Sequence, residues 1–322
     1  MTKKRCWGCG SLHVIRWGKR GSIQRFKCKD CGLLFSGENK SVALSNQFSW
    51  FNQWTLHRST LEQLSARSGY SKRKLQYLFD QYLSNPPQWI IHQKINLYLI
   101  IDGTYFRQGL CLILYYDSVL KYALFYRFTT GELYKELKED LENLKKLGIE
   151  IGAVTCDGKR SIIKSVKKVY PQATLQRCMV HVQRNVRKWL TRNPTTEAAQ
   201  KLRYLIGLLH HIHNMVEQHM WTIAFEKWYG QYQSSIEAKT YHPTTGRWWY
   251  THKGLRRAAV SVKNSLANLF HFIGDPHIPK TTNGLDSYFG HLKEMLNVHR
   301  GLSKEHKKGF ILWYLYLKSI SK

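Results

Sequence analysis

The sequence is poor in acid. It has 21 Asp and Glu against 50 Lys and Arg, a net charge of +29 over 322 residues, and such an excess calls for a polyanionic partner, nucleic acid or an anionic membrane surface. Long apolar runs are lacking as well. The run of note, residues 310–317, has eight residues, where a membrane-spanning helix needs about 20. No apolar stretch follows the basic start Met1-Thr2-Lys3-Lys4-Arg5-Cys6, as a secretory signal would require. These two absences set the membrane aside, favour nucleic acid and place the chain in the cytoplasm. The seven cysteines are an odd number and make no disulfide framework; in a reducing compartment they divide into four metal ligands plus Cys111, Cys156 and Cys178. Internal repeats and low-complexity segments are missing too.

An apolar content of 43% is that of a globular chain, and the length suits two to four units. Cys6-Trp7-Gly8-Cys9 and Cys28-Lys29-Asp30-Cys31 are two Cys-x-x-Cys knuckles separated by 18 residues, the spacing of a four-cysteine zinc ribbon over 1–40. Gly8, Gly10 and Gly32 allow the tight turns around a metal. A closed set of four thiolates, Cys6, Cys9, Cys28 and Cys31, implies a structural Zn²⁺ with no open position for water. Residues 16–27 interleave basic and aromatic side chains, as a β-hairpin contacting phosphates would have them; a zinc-stapled module without a partner of its own is the bland alternative.

Over 46–85 the apolar spacing turns helical, with Leu61 and Leu64, then Leu75, Leu78, Phe79 and Tyr82, and a turn at Ser68-Gly69-Tyr70. Ser71 is placed to cap the second helix, whose opening Lys72, Arg73 and Lys74 would face a DNA groove or its phosphates. The pattern is that of a helix-turn-helix, or of a plain helical element with a solvated basic face. Asn85-Pro86-Pro87 ends it, since two prolines continue no helix.

From Lys94 to residue 193 strands and helices alternate. Expected strands are 97–101, 110–116, 122–128, 151–156 and 173–176, with a helix over 133–147 (Leu133, Leu137, Leu141 and Leu144 on one face), a helix after Gly158 that Pro171 stops, and a basic helix from about Cys178. The order strand, strand, strand, helix, strand, helix, strand, helix is, by analogy, the ribonuclease H-like α/β plan. Residues 194–276, rich in His, Trp and Tyr, are expected as an all-helical insertion containing His210-His211-Ile212-His213 and Arg247-Trp248-Trp249-Tyr250. The histidines lack a four-ligand spacing and suit a polar helix face. Residues 277–322 return to the core as C-terminal helices.

Two strand-end carboxylates stand out: Asp102, after 97–101, and Asp157, after 151–156. They lie 55 residues apart in sequence but leave strands that are neighbours in such a sheet. Phosphodiester chemistry without a covalent intermediate suits two divalent ions about 4 Å apart, held by carboxylate oxygens, so a third acid should converge on them. Asp286, in Thr281-Thr282-Asn283-Gly284-Leu285-Asp286-Ser287, is the candidate. Each acid also has a plain reading, Asp-Gly being a common turn former and an early helical Asp a favourable dipole partner.

Together Ile101-Asp102-Gly103, Cys156-Asp157-Gly158, Gln176-Arg177-Cys178-Met179-Val180-His181 and the 281–287 motif resemble the Mutator-like superfamily of DDE transposases found in bacterial-type insertion sequences, over about 97–296. The resemblance implies a ribonuclease H-like core with a helical insertion before the third acid. It further implies catalytic Asp102, Asp157 and Asp286 binding two Mg²⁺ or Mn²⁺ ions, and a Cys178-x-x-His181 signature that puts His181 at the active site. Asp286 stands where the family usually carries Glu; one methylene shorter, it requires the helix to sit closer to the sheet, or Glu294 to substitute. Lys159, Arg160, Arg177 and Arg184, with Arg187 and Lys188, would contact DNA. The expected activity is binding of transposon terminal inverted repeats, cleavage at the ends and joining of 3′-hydroxyls to target DNA by a homodimer on paired ends, in the bacterial cytoplasm at the nucleoid. A non-catalytic DNA-binding derivative and a ribonuclease H-like nuclease are the alternatives.

Overall fold

The computed structural model describes residues 4–320 except 7, 8, 10, 37–39, 92–94 and 108; Gly8 and Gly10 of the first knuckle and Lys94 at the expected domain edge lie outside these. The chain forms two compact units, Met1–Pro87 with Glu294–Leu317, and Gln88–Lys293 with Lys318–Lys322.

In the first unit, strands β1 (Val14–Arg20), β2 (Ile23–Cys28) and β3 (Leu34–Ser36) make an antiparallel sheet, β1 and β2 being the hairpin expected between the knuckles. Among the described residues its buried cluster is Cys6, Cys28 and Phe35, with Val14, Phe26 and Leu33 against them, too small a core to hold a fold without a staple. Helix α1 (Lys40–Leu56) begins before the expected residue 46. Helix α2 (Leu61–Ser68) opens on a Thr60–Gln63 capping box and α3 (Lys72–Ser84) on Ser71, whose hydroxyl accepts from the Lys74 amide. Leu64, Leu75, Phe79 and Leu83 are buried. Aromatic rings complete this core: Phe51 stacks on Tyr82 at 4.7 Å and meets Trp313 edge-on at 5.3 Å. Trp313 belongs to α12 (Lys304–Ile320), and its indole donates to the Tyr82 carbonyl at 2.7 Å. Residues 294–317 thus pack with α1 and α3.

The second unit is built on a five-stranded sheet of β4 (Leu97–Phe106), β5 (Leu110–Asp117), β6 (Tyr122–Thr129), β7 (Ile151–Cys156) and β8 (Thr174–Arg177) in the order β6-β5-β4-β7-β8. The first three form an antiparallel meander; β4–β7 and β7–β8 are parallel. Such a mixed sheet is compatible with a ribonuclease H-like core. Helices α4 (Tyr134–Lys146) and α5 (Arg160–Val169) cover one face: Leu137, Leu141, Leu144, Ile162 and Val166 share a core with Leu97, Leu99, Ile101 and Val154. Leu133, expected on that face, is the N-cap of α4 and is 53% exposed, because the chain has not yet turned helical there.

After α6 (Met179–Leu190) come α7 (Glu197–Leu208), α8 (Met215–Gln231), α9 (Gln233–Glu237) and α10 (Lys253–Lys263). This region has its own core, in which Val182, Val186 and Leu190 of α6 meet Leu202, Ile206, Trp221, Phe225 and Ala258. It is not all-helical: strands β9 (Lys239–Tyr241) and β10 (Trp248–Tyr250) pair as an antiparallel hairpin, Trp249 opposite Thr240. A Thr-rich turn with Gly246 at φ +66° closes it, and such chemistry favours a hairpin over a continued helix. Helix α11 (Asn283–Val298) carries Asp286 in its first turn.

Candidate active site

Strand β4 runs on through Gly103 to Phe106, so Asp102 lies within the strand and not at its end as expected. The register still brings it to the corner of the sheet where Asp157 leaves β7. The β4–β7 ladder stops at Ile101 opposite Cys156, while β4 continues beside β5. Asp102 and Asp157 are therefore the first residues beyond the last rung of two adjacent parallel strands. Asp102 is 8% exposed. Burial pushes its carboxyl up to about 7, Asp157 adds to this, the Gly103 amide (2.8 Å to Oδ1) opposes it, and Glu132 and Asp286 raise it further. Four carboxylates thus share one electrostatic neighbourhood. Asp157 Oδ1 accepts from the Lys159 amide at 2.8 Å, and Asp286 Oδ2 is a buried oxygen without a hydrogen-bond partner among the described residues. Glu294, the alternative third acid, is paired with Arg58 and 53% exposed in side chain.

Main-chain stitches bring α11 to the sheet. Cys178, the N-cap of α6, donates its amide to the Cys156 carbonyl at 2.8 Å; the Met179 amide donates to Lys280 O at 3.0 Å and the Thr155 hydroxyl to Pro279 O at 2.9 Å. Thr282, fully buried, donates its amide to Cys178 Sγ at 3.2 Å, and its hydroxyl lies 3.2 Å from His181 Nδ1. His181 Nδ1 is also 3.2 Å from Cys178 Sγ, and Arg184 Nη1 is 3.3 Å from Nε2. A guanidinium only donates, so this contact selects the tautomer with its proton on Nδ1, facing the sulfur. The Cys178 bond is the main cause that raises the pKa of His181; burial opposes it, and Asp102 and Asp286 add to it. Burial pushes the Cys178 thiol up, but the bonds from His181 and Thr282 outweigh it and leave it below its ordinary value.

Behind the acids lies a residue the sequence did not single out. Glu132, with a side chain only 2% exposed, is ion-paired to Lys159 and accepts from the Tyr105 hydroxyl at 3.2 Å. It lies against Gly103, where an added Cβ would come within 2.8 Å of its Cδ. Glu132 therefore touches the neighbour of Asp102 and holds a residue two places after Asp157. A glycine inside a strand is a sign of such close approach, and Gly103 was the available clue. Lys159, expected on DNA, spends its ammonium on this pair; burial pulls its pKa down, but Glu132 outweighs that and holds it above the ordinary value. Arg177 lies over Gly158, whose φ of +93° and missing Cβ both make glycine necessary, and the Arg177 Nε is buried without a partner among the described residues.

Of the other expected contacts, Arg160, Arg184, Arg187 and Lys188 are exposed, as are Lys72, Arg73 and Lys74 in the first turn of α3, Lys72 being paired with Glu62 at 2.6 Å. In the ribbon, Cys6 and Cys31 sulfurs are 3.6 Å apart, as are those of Cys9 and Cys28, and all four lie within 4.8 Å of one another. Sulfurs on a tetrahedral zinc, each about 2.3 Å from it, lie roughly 3.8 Å apart, so this cluster could hold a metal such as zinc. It is the only such close group of three or more ligands among the described residues; the oxygens of Asp102, Asp157 and Asp286 are more widely spread.

No curated protein matches the chain. Residues 121–272, from β6 through the helical region, match the family described as Transposase, Mutator family, and this match supports the resemblance to the Mutator-like transposases.

Proposed function

We propose that the chain is a DNA transposase of the three-acid type. Asp102, Asp157 and Asp286 hold two Mg²⁺ or Mn²⁺ ions; the ribbon and the α2–α3 pair recognise the terminal inverted repeats; a homodimer engages paired ends. The donor set fits hard divalent ions: carboxylate oxygens, one buried and unpartnered among the described residues at Asp286, and Asp102 with its carboxyl raised by burial and then by its acidic neighbours. When bound, such ions activate a water or a 3′-hydroxyl and stabilise the leaving oxygen.

The chain's own groups supply the rest. Asp102 would hold an ion only as the carboxylate, the form that burial disfavours in the chain alone. His181, within reach of the fields of Asp102 and Asp286 and steadied by Cys178 and Thr282, presents its ring edge toward a scissile phosphate. Arg177, Arg160 and Arg184 bind flanking phosphates, while Lys159 positions the loop after Asp157 through Glu132. The single observation that carries this reading is the convergence of Asp157 and Asp286 on buried Asp102. The test is Mn²⁺-dependent cleavage and strand transfer of a duplex bearing the element's own end. Activity that Asp102→Ala abolishes, with end binding kept, is expected; end binding without cleavage by the wild type would leave a DNA-binding derivative instead.

A further inference from the structure

The aromatic run Arg247-Trp248-Trp249-Tyr250 has no part in the site above, and it does not fill the core of its region. Trp248 is 48% exposed and Trp249 39%, with Tyr241 across the hairpin at 60%. Rings of this size left in water cost hydrophobic free energy that burial would recover. The Lys239 ammonium lies 4.1 Å from the Trp248 ring centroid.

The same hairpin opens onto a cavity of about 480 Å³ whose walls include Trp189, Tyr250, Lys253, Arg256, Arg257 and Asn264; no carboxylate lines it. That volume lies within the range of roughly 300–1,000 Å³ that encloses small ligands. The Arg256 guanidinium lies 3.8 Å from the Tyr250 centroid and that of Arg257 5.7 Å from Trp189. Among the described residues none of Lys253, Arg256 and Arg257 has an ion-pair partner. All three fall in the first five residues of α10, which has no acid in its first turn; cations there oppose the helix dipole. Unpaired cations placed at some cost to the fold, over aromatic faces and around a nucleotide-sized hollow, match a ligand that is both anionic and flat.

We propose that this face of hairpin β9–β10 and helix α10 is a binding site for single-stranded DNA. One unpaired nucleotide enters the cavity, its base stacked on the Arg256–Tyr250 layer and its phosphates on Lys253 and Arg257, and neighbouring bases stack on Trp248 and Trp249. Duplex DNA keeps its bases inside and cannot use these rings. The proposal rests on the DNA-processing reading only for the identity of the polyanion; a strand opened at a cleaved end is its natural source.

The test is fluorescence anisotropy of the full chain with a labelled oligonucleotide of about 12 nucleotides and, separately, a duplex. Substituting Arg256→Ala and Arg257→Ala together is expected to weaken single-strand binding tenfold or more and to lower the salt slope by about one to two, with duplex binding within about twofold. Trp248→Ala is expected to weaken the single strand with an unchanged salt slope. Arg256→Lys with Arg257→Lys should keep the slope and lose part of the affinity, since lysine lacks the stacking plane. Equal loss for single strand and duplex, or no loss, overturns the proposal. So does displacement of the strand by an equimolar mononucleotide, which would mark a small-molecule site. Asp102→Ala should bind the strand as wild type does. A protein that cuts no DNA yet binds strands through Arg256 and Arg257 would refute the catalytic reading and leave this one standing.

Discussion

Asp102 is the residue on which the site's electrostatics turn. With its carboxyl raised to about 7 by burial and by Asp157, Glu132 and Asp286, the folded chain holds a proton that the unfolded chain has lost, so stability falls as pH rises from about 4 through 7. The full penalty, present above pH 7, is on the order of 4 kcal/mol. Asp102→Asn should therefore raise the melting temperature at pH 8, leave it nearly unchanged at pH 4, and abolish cleavage; thermal melts across that range check this. Glu132→Gln keeps the shape but releases Lys159. It is expected to lower the cleavage rate about tenfold to a hundredfold, because a shift of 1 Å in an acid is that expensive, with end binding unchanged in the same assay. Asp102 and Asp157 were legible because each follows a run of strand formers, and a strand-end carboxylate has few structural duties. Glu132 was not. It sits in a connection, its burial is set by Gly103 across the sheet, and nothing local marks a loop glutamate as buried.

At the scale of elements, the pairing of β4 with β7 sets the two acids side by side, and the contacts of Cys178, Thr282 and Pro279 bring up the helix with the third. The strands of the core were readable in order, since apolar β-branched runs separated by turns have a period of their own. The longer course of β4 was not, because Asp102-Gly103 reads locally as a turn. The β9–β10 hairpin was missed for the opposite reason: helices on both sides and a Trp-rich strand of three residues give too little alternation to see. In the first unit, His299 accepts no proton easily: burial lowers its pKa to about 4, the Trp54 carbonyl 3.1 Å from Nε2 opposing. Its ring sits 4.2 Å from Trp54 and 5.3 Å from Phe310. Unfolding lets it protonate below about 6.5, so its contribution to stability is present above that pH and is lost as pH falls toward 4. Removing the titration with His299→Gln should flatten the acid side of the unit's stability curve, followed by Trp fluorescence in denaturant at pH 4.5 and 7.

For the whole molecule, a net charge of +29 predicts DNA binding that weakens steeply with salt. Chelation tests whether a metal staples the four-cysteine cluster. Loss of the ribbon's metal should unfold residues 4–36 and abolish selectivity for the element's ends, because three buried residues cannot hold that sheet together; the hydrogen exchange of β1–β3 reports it. The α/β core should keep its protection under the same treatment, since its apolar interior does not depend on ions. The four-cysteine spacing made the ribbon visible from the sequence alone, whereas the packing of Trp313 into α1 and α3 joins residues far apart in the chain and leaves no local trace.

The proposed catalytic site joins three acids from two strands and a helix, with Asp286 as the third. The most direct measurement is strand transfer by Asp286→Asn, an isosteric change, on a duplex bearing the element's end in Mn²⁺. A three-acid site should lose at least a thousandfold of cleavage and joining with end binding intact; cleavage at the wild-type rate would show that Asp286 holds no ion and that the three-acid site is wrong.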